Sequence, residues 1–311
     1  MNAGLHGRVG IALGSGAARG LAHIGVLRGL EEAGIVPEIV CGSSIGAVVG
    51  AACASSMLDS FEAWVRGLDW RGVVGTFDFA LRGGLLKGRK VFEVLANQLP
   101  DRPIAELERT FAAVATDLVT GQEVWLRDGT LYDAMRASVA LPGLITPARV
   151  EGRWLVDGGL VNPVPVSLCR AMGADTVIAV DLNSVLVGRR FRGQRRDVGK
   201  GVAERALPAA LQELAAELRA RIGRGEDSND DREALPSMPS MYEVITGSIN
   251  IMQVRISRSR MAGDPPDLLV APRLADFALL DFDRADEAID EGRRAVAAAL
   301  GPGTTTPQGP V

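Results

Sequence analysis

Two apolar segments near the start of the chain each lead through a glycine-rich turn into a helix-like stretch. Residues 8–13 (RVGIAL) and 37–41 (PEIVC) are short apolar runs, which are typical of buried strands. The first precedes 21–33, in which apolar residues recur along one helix face, and the second precedes 46–57, which has the composition of a buried helix. A strand–turn–helix unit that occurs twice predicts a parallel sheet covered by helices on both faces.

The same alternation continues to about residue 183. The segment that ends at Asp157 predicts a hairpin turning at Glu151 and Gly152. Other patterns predict helices over 59–69, 89–98, 130–140 and 163–172, and strands over 111–119, 122–128 and 176–182. We therefore expect an α/β protein with three layers, α/β/α, around a mostly parallel central sheet.

Charge becomes uneven after Asn183. Residues 189–200 are rich in arginine, and two interpretations stay open: a solvated segment, or a basic patch that contacts anionic lipid. Acidic residues gather over 226–233, and a short apolar run over 267–272 predicts a last strand. The remaining patterns predict helices over 204–221, 241–256 and 284–299. We divide the chain into a core over 8–183, a charged, partly disordered connecting segment with one helix over 184–240, a helical extension packing on the core over 241–300 and a disordered tail over 301–311.

Composition narrows the classes of function. The 311 residues are 47% hydrophobic, which suffices for a full core, and the net charge of −4 gives no signal for nucleic-acid binding. The three cysteines, Cys41, Cys53 and Cys169, are scattered without a CxxC pair, so neither a zinc site nor a disulfide framework is expected. No signal peptide and no carboxylate cluster suited to calcium is visible. We expect a cytoplasmic protein that uses no metal and no cofactor.

One uncharged segment could be mistaken for a membrane span. Residues 39–58 carry no charge over twenty positions, and Gly42, Gly46 and Gly50 form a GxxxGxxxG pattern. The segment is rich in glycine, serine and alanine but poor in leucine and phenylalanine, so its transfer into lipid would be weak. A buried strand, a tight turn and a buried helix explain the same residues, and we prefer that interpretation.

The sharpest local signal is the G-x-S-x-G sequence from Gly42 to Gly46. It stands where a strand passes into a helix, in a turn that strains the middle residue, Ser44, and exposes its hydroxyl above the sheet. On this pattern alone, a serine nucleophile and a plain turn of small residues both stay open. A nucleophilic serine also needs a base. A conventional triad is disfavoured because both histidines, His6 and His23, precede the serine.

A carboxylate is the natural base in place of histidine, and Asp157 is the one we choose. It ends an apolar strand and is followed by Gly158 and Gly159, which leave room for a substrate, although a plain Asp-Gly turn is the alternative. The glycine turn over 14–20 supplies a third part, because backbone N–H groups ahead of a helix can bind the oxyanion of acyl transfer. Dinucleotide binding is the other interpretation of this turn, but Arg19 stands where that pattern needs glycine or alanine.

These pieces, in this order, resemble the patatin-like phospholipase family, and above all its bacterial members related to neuropathy target esterase. The similarity lies in four separated stretches: ALGSGAARGLAHIGVL, CGSSIGAVVGA, ASVALPGLITP and LVDGGLVNPVPV. It covers about residues 8–183 and implies the patatin-like fold. The glycine turn departs from the family's G-G-G-x-R-G form, because Ser15 and Ala17 replace two glycines.

Carried over to this sequence, the resemblance implies that Ser44 is the nucleophile and Asp157 its partner in a Ser-Asp dyad. Gly16 and Ala17 would donate to the oxyanion, and Arg19 would complete the oxyanion hole by holding the loop in place. The glycines that would support these motifs are Gly14, Gly20, Gly42, Gly46, Gly158 and Gly159. The implied activity is that of a serine lipid acyl hydrolase with an acyl-serine intermediate, either a phospholipase A or lysophospholipase or a carboxylesterase. A thioesterase and a catalytically weak regulatory or scaffold protein on the same fold stay open as alternatives.

A lipid or acyl-ester substrate implies an interface. No anchor is visible, so we expect any contact with the inner membrane surface to be peripheral and reversible. Residues 81–88 (LRGGLLKG) combine apolar and basic side chains and are a candidate lid, and a mobile surface loop explains them equally well.

Overall fold

One mixed sheet of eight strands organises the part of the chain that the structure describes. The structure is a computed structural model, and it describes residues 6–68, 89–142, 144–184 and 241–301. The strands are β1 (Val9–Leu13), β2 (Ile39–Ser43), β3 (Thr110–Asp117), β4 (Glu123–Leu126), β5 (Ala148–Val150), β6 (Arg153–Asp157), β7 (Thr176–Val180) and β8 (Leu268–Val270). The α-helices are α1 (Ala22–Glu32), α2 (Ile45–Ala54), α3 (Leu58–Arg66), α4 (Arg89–Gln98), α5 (Leu131–Ser138), α6 (Val166–Ala171), α7 (Met241–Gly263) and α8 (Ala285–Leu300). Short 3-10 helices cover Ala17–Leu21, Ile104–Glu106, Gly158–Leu160 and Phe282–Arg284.

The centre of the sheet is parallel and one side of it is antiparallel. Ladder hydrogen bonds connect the strands in the order β5–β6–β3–β2–β1–β7–β8, and β4 also pairs with β3. Parallel pairs join β1 to β2 and β7, β2 to β3, and β7 to β8, whereas the pairs of β3 with β4 and β6, and of β5 with β6, are antiparallel. Helix α1 provides the crossover that a parallel β1–β2 pair needs.

Apolar residues of the central strands alternate between two helical layers. Ile11 and Leu13 belong to a cluster with α1, α2, α3 and α8 on one face of the sheet. Ala12 and Cys41 belong to a second cluster, which α6 covers on the other face. Because successive side chains of a strand point to opposite faces, a strand that is apolar at every position must be covered on both sides. The predicted three-layer α/β/α fold is confirmed.

Strands β2 and β6 meet end to end along one edge of β3. Ala115 of β3 pairs with both β4 and β6, so these two strands lie on opposite edges. Val114 pairs with both β4 and β2, so β2 shares its edge with β6. The last residue of β2, Ser43, pairs with Val114, and the last residue of β6, Asp157, pairs with Ala115. The register thus brings the ends of two segments that are more than a hundred residues apart in sequence to adjacent positions.

Several predicted boundaries shift. Strand β2 extends to Ser43 and not to residue 41, because it stays hydrogen-bonded to β3 into the G-x-S-x-G motif. The predicted helix 46–57 ends at Ala54, since Ser56 has a positive φ of 55°. Helix α7 runs to Gly263, seven residues beyond the predicted 241–256. The uncharged segment 39–58 is β2, a turn, α2 and the start of α3, and within the described ranges no helix is long and apolar enough to cross a bilayer.

Some predictions fall on residues that the structure does not describe. These are the candidate lid 81–88, the basic stretch 189–200, the helix 204–221, the acidic stretch 226–233 and the tail beyond residue 301. The domain boundaries at 183 and 241 stay predictions for the same reason.

Candidate active site

Ser44 occupies the turn between β2 and α2 and has a strained backbone. Its φ of 57° and ψ of −127° lie where side chains other than glycine are rare. A Cβ added at Gly46 would lie 2.1 Å from the carbonyl oxygen of Leu13, and one added at Gly42 would lie 2.4 Å from the backbone nitrogen of Ala47. Both glycines of the motif are therefore required by close backbone packing, and the turn leaves Ser44 partly exposed.

The Ser44 hydroxyl faces a buried carboxylate. Ser44 Oγ donates to Asp157 Oδ2 at 2.6 Å, and the Gly159 N–H donates to Asp157 Oδ1 at 2.7 Å. The side chain of Asp157 lies at the end of β6, and the residue is only 1% exposed. Burial raises the pKa of Asp157 to about 6, although both hydrogen bonds act to lower it. Such a carboxylate is a stronger base than an exposed aspartate and is still ionised at neutral pH.

The backbone around Asp157 is fixed from three sides. Thr116 Oγ1 donates to the Asp157 carbonyl at 2.8 Å, and the Asp157 N–H donates to the carbonyl of Ala140 at 3.0 Å. A Cβ added at Gly158 would lie 2.2 Å from the carbonyl oxygen of Val114. These contacts determine where the carboxylate lies relative to the end of β2.

The glycine turn after β1 contains two N–H groups that make no hydrogen bond to the described residues. The Ser15 N–H donates to Pro163 O at 2.8 Å, and the Arg19 N–H donates to Gly16 O at 3.2 Å. The Gly16 and Ala17 N–H groups make no hydrogen bond within the described ranges, and both residues line the cleft that contains Ser44. Ala17 also has a positive φ of 50°. The main chain here can donate to an oxygen in the cleft.

Arg19 was expected in the oxyanion hole, and its structural position fits only the supporting part of that expectation. Its main-chain N–H is occupied by Gly16 O. Its side chain is 1% exposed and donates through Nη2 to Asn183 Oδ1 at 3.1 Å and to Asn250 Oδ1 at 3.2 Å. Arg19 therefore ties the glycine turn to residues far along the chain.

His23 of α1 is hydrogen-bonded to the main chain of the glycine turn after β1. Its Nε2 lies 2.7 Å from the carbonyl oxygen of Gly14, so the ring must donate there. Complete burial lowers the pKa of His23 to about 4, and the ring is neutral at physiological pH. A buried, neutral His23 that donates to the main chain therefore supports the turn.

The remaining motif glycines are also sites of close approach. A Cβ at Gly20 would lie 2.2 Å from Ile45 Cγ2, and one at Gly14 would lie 2.5 Å from the carbonyl oxygen of Val180. A Cβ at Gly159 would lie 2.5 Å from Gln253 Nε2. Glycine at these positions lets the two turns and helix α7 converge on one cleft.

Four polar residues near this cleft were missed by sequence reasoning. The Ser44 N–H donates to Ser138 Oγ of α5 at 2.9 Å. Asn183 Nδ2 donates to Ser15 O at 3.0 Å and to Gln253 Oε1 at 3.3 Å. The other missed residues, Asn250 and Gln253, line the cleft from α7. A usable signal was the spacing of polar residues along α7, at Asn250, Gln253, Ser257 and Arg260, which marks one helix face.

The cleft encloses about 370 Å³ including its open mouth. It brings together Ser44, Asp157, Gly16, Ala17, Asn250 and Gln253. A serine hydroxyl, a buried carboxylate and two main-chain N–H groups without a partner among the described residues thus face one space, and acyl transfer needs groups of these kinds.

Comparison with known proteins identifies related chains. The family described as Patatin-like phospholipase matches residues 11–170. An NTE family protein from Mycobacterium tuberculosis (strain ATCC 25618 / H37Rv) is 34% identical over 94% of this chain and 91% of its own length. The Lysophospholipase NTE1 of Coccidioides immitis (strain RS) is 29% identical over 91% of this chain but only 17% of its own length.

A solved structure, VipD from Legionella pneumophila, aligns with 96% of this chain and 69% of its own at 12% identity and a TM-score of 0.47. The family match spans both turns, β6 and the candidate dyad, whereas α7 lies outside it. The chain belongs to the patatin-like phospholipase family, a family of lipid hydrolases.

Proposed function

We propose that this protein hydrolyses the carboxylic ester bonds of lipids with Ser44 as nucleophile and Asp157 as base. The observation that carries the proposal is the 2.6 Å hydrogen bond from Ser44 Oγ to Asp157 Oδ2, made by a serine in a strained strand-to-helix turn. A surface serine that only caps a helix would need neither the positive φ of 57° nor a buried carboxylate partner.

The first half of the reaction follows from this contact. Asp157 Oδ2 accepts the Ser44 proton while Oγ attacks the ester carbonyl carbon. Negative charge then develops on the carbonyl oxygen, and the N–H groups of Gly16 and Ala17 donate to it, each worth about 3 kcal/mol of transition-state stabilisation. The proton on Asp157 passes to the departing alcohol as the carbon–oxygen bond breaks, which leaves an acyl group on Ser44.

The second half uses the same groups. Asp157 takes a proton from a water molecule, and the oxygen of that water attacks the acyl-serine carbonyl. The proton returns to Ser44 Oγ as the fatty acid leaves. The carboxylate must be ionised at the start of each half, so a pKa of about 6 leaves it available at pH 7 and above.

The substrate class is proposed from the family and from its relatives. The relative from Coccidioides immitis is named a lysophospholipase, which favours single-chain phospholipids among the lipid esters. A thioesterase with the same dyad is the alternative within enzymes. A scaffold protein that keeps the fold without the chemistry is the alternative outside them, and the paired Ser44 and Asp157 side chains argue against it.

A serine-reactive probe tests the proposal. A fluorophosphonate should label the wild-type protein at Ser44, and the Ser44→Ala protein should remain unlabelled. Ser43→Ala is the matched control, because Ser43 is the adjacent hydroxyl and its buried Oγ has no partner in the described part of the chain. Labelling that survives Ser44→Ala, or a folded wild-type protein that never labels, would sink the proposal.

We further propose that membrane contact, where it occurs, uses the turn after β3. Leu118, Val119 and Trp154 are 53%, 83% and 48% exposed, and the Arg149 guanidinium lies 5.8 Å from the Trp154 ring centroid. Exposed leucine, valine and tryptophan beside an arginine suit the surface of an anionic bilayer. The segment that contributes Leu141 to the catalytic cleft runs on to this surface.

Vesicle sedimentation tests this surface. Replacing Leu118 and Val119 together by serine should reduce binding to phosphatidylglycerol vesicles severalfold, while hydrolysis of a water-soluble ester stays unchanged. Val36→Ser is the control, because Val36 is an exposed apolar residue, at 56% close to the 53% of Leu118, in a different part of the molecule. Equal binding by the double variant and the wild type would remove this surface from the proposal.

A further inference from the structure

Helix α7 presents two side-chain amides to the catalytic cleft. Asn250 and Gln253 are three residues apart, so they lie on the same helix face, and both line the cleft with Ser44 and Asp157. Gln253 is only 6% exposed. Neither residue lies within the part of the chain that the family match covers.

Arg19 sets the orientation of both α7 amides, directly at Asn250 and through Asn183 at Gln253. A guanidinium can only donate, so the atoms that face it must be the oxygens of Asn183 and Asn250. With its Oδ1 facing Arg19, Asn183 points Nδ2 toward Gln253, and that nitrogen donates to Gln253 Oε1 at 3.3 Å. In both α7 amides the oxygen is therefore the atom that accepts: Asn250 Oδ1 from Arg19, and Gln253 Oε1 from Asn183. The nitrogen of each amide points away from that donor.

Those two nitrogens have no partner among the described residues. No hydrogen bond there uses Asn250 Nδ2 or Gln253 Nε2, whereas the oxygen of each amide accepts one. Both nitrogens belong to residues that line the cleft, so a bound substrate can supply the acceptor that the described residues do not. The α7 face of the cleft is a surface of donors.

The position of Gln253 indicates which part of a substrate these donors meet. Its Nε2 lies 2.5 Å from the point that a Gly159 Cβ would occupy, and the Gly159 N–H holds Asp157 Oδ1. The Gln253 amide is thus close to Asp157, the group that returns the proton to the departing alcohol in the proposed reaction. The oxyanion donors, Gly16 and Ala17, belong to a different segment of the cleft wall.

We propose that Asn250 and Gln253 form a donor subsite for the alcohol half of the ester, which binds the hydroxyl or phosphate oxygens of a glycerol-based leaving group. This inference rests on the function proposed above and makes it narrower. An apolar alcohol would leave both amide nitrogens desolvated and unpaired, so the subsite selects against it. A phosphate, as an anionic acceptor, gains more from each donor than a neutral hydroxyl does.

Three substrates with one acyl chain test the subsite: octanoyl lysophosphatidylcholine, 1-octanoylglycerol and p-nitrophenyl octanoate. Gln253→Met and Asn250→Leu keep the side-chain size and remove the donors. For each variant we expect kcat/KM to fall about tenfold or more on the lysophospholipid and about threefold on the glycerol ester. On the p-nitrophenyl ester, whose alcohol half carries neither the hydroxyl nor the phosphate of a glycerol-based leaving group, the value should stay within about twofold.

Matched variants separate recognition from support of the fold. Asn250→Asp keeps an oxygen for Arg19 and replaces the amide donor by a negatively charged acceptor, so it should give the same order of losses, with the largest on the phosphate-bearing substrate. Met252→Ser changes an exposed residue of the same helix, 49% accessible, and should alter none of the three rates. Unchanged ratios between the three substrates in the Gln253 and Asn250 variants, whether all rates fall equally or none falls, would overturn the subsite. A wild-type protein that cleaves none of the three overturns the proposed function itself, and the subsite with it.

Discussion

The two glycine-rich turns of this protein are similar in composition but differ in whether their main-chain N–H groups are hydrogen-bonded. Each connects a buried parallel strand to a helix, and each contains a residue other than glycine with a positive φ, Ala17 at 50° and Ser44 at 57°. In the first turn the N–H groups of Gly16 and Ala17 have no hydrogen-bond acceptor in the part of the chain that the structure describes. In the second, the Ser44 N–H is bound by Ser138, and the side chain is presented instead.

This difference separates two chemical tasks. The first turn offers main-chain donors, which tolerate a change of side chain, so serine and alanine can occupy positions 15 and 17 without removing the N–H groups of Gly16 and Ala17. The second turn offers one side chain in one orientation, so its main chain must be held. The two turns also pack closely on each other's elements, because a Cβ at Gly20 would meet Ile45 of α2 and one at Gly46 would meet the Leu13 carbonyl oxygen of β1.

Replacing Asp157, the proposed base that is hydrogen-bonded to Ser44 of the second turn, should cause the largest loss of activity. Asp157→Asn keeps both hydrogen-bonding positions but cannot accept the Ser44 proton, so we expect kcat to fall about ten thousandfold.

In the wild type, kcat/KM should fall about tenfold per pH unit below about pH 6, because the pKa of Asp157 is raised to about 6 and only its ionised form is a base. Initial rates on a soluble ester between pH 4.5 and 8.5 measure both. A profile that is flat through pH 6 would contradict the assignment.

The two turns should also respond differently to an added methyl group. In Gly46→Ala the new carbon would meet the Leu13 main chain at 2.1 Å, so the backbone must move, and we expect a loss of at least about 3 kcal/mol of unfolding free energy. In Gly16→Ala the nearest atom is Leu182 Cδ1 at 2.8 Å, a side-chain end that can shift, and the loss should be about 1 kcal/mol. Urea denaturation of both variants measures the difference, and equal losses would show that the turns are equally tight.

Sequence patterns located the two turns and their neighbouring strands because hydrophobic periodicity is local. They also singled out Ser44 and Asp157, since G-x-S-x-G and Asp-Gly-Gly are short motifs. They could not find Ser138 or Asn250, which are 94 and 231 residues away in sequence from the groups they bind. A polar residue on a helix is ordinarily solvated, and only the packing of α5 and α7 against the cleft distinguishes these two.

The burial that raises the pKa of Asp157 should also lower the free energy of unfolding. Its pKa is raised from the ordinary value to about 6, so between about pH 4 and pH 6 the folded protein holds a proton that the unfolded chain has released. Folding stability therefore falls as pH rises through this window and stays lower above it. Asp157→Asn removes the penalty and should stabilise the fold by roughly 3 kcal/mol at pH 7.5 but only about 1 kcal/mol at pH 4.5. Thermal or urea unfolding at the two pH values measures this, and a gain that is independent of pH would contradict it.

Ser138→Ala should leave the main-chain N–H of Ser44 without its acceptor, as the N–H groups of Gly16 and Ala17 are in the first turn among the described residues. It removes the acceptor of the Ser44 N–H, and Ser138 is fully buried, so no water is at hand to replace its Oγ directly. The expected cost is about 1 kcal/mol of unfolding free energy, together with a severalfold fall in kcat because the Ser44 backbone is less firmly held. Ser138→Thr keeps a hydroxyl and should recover most of the rate if the methyl group is accommodated. Because only orientation is lost, KM and the apparent pKa in the pH profile should not change, whereas a shifted pKa would mean that Ser138 acts on Asp157 instead.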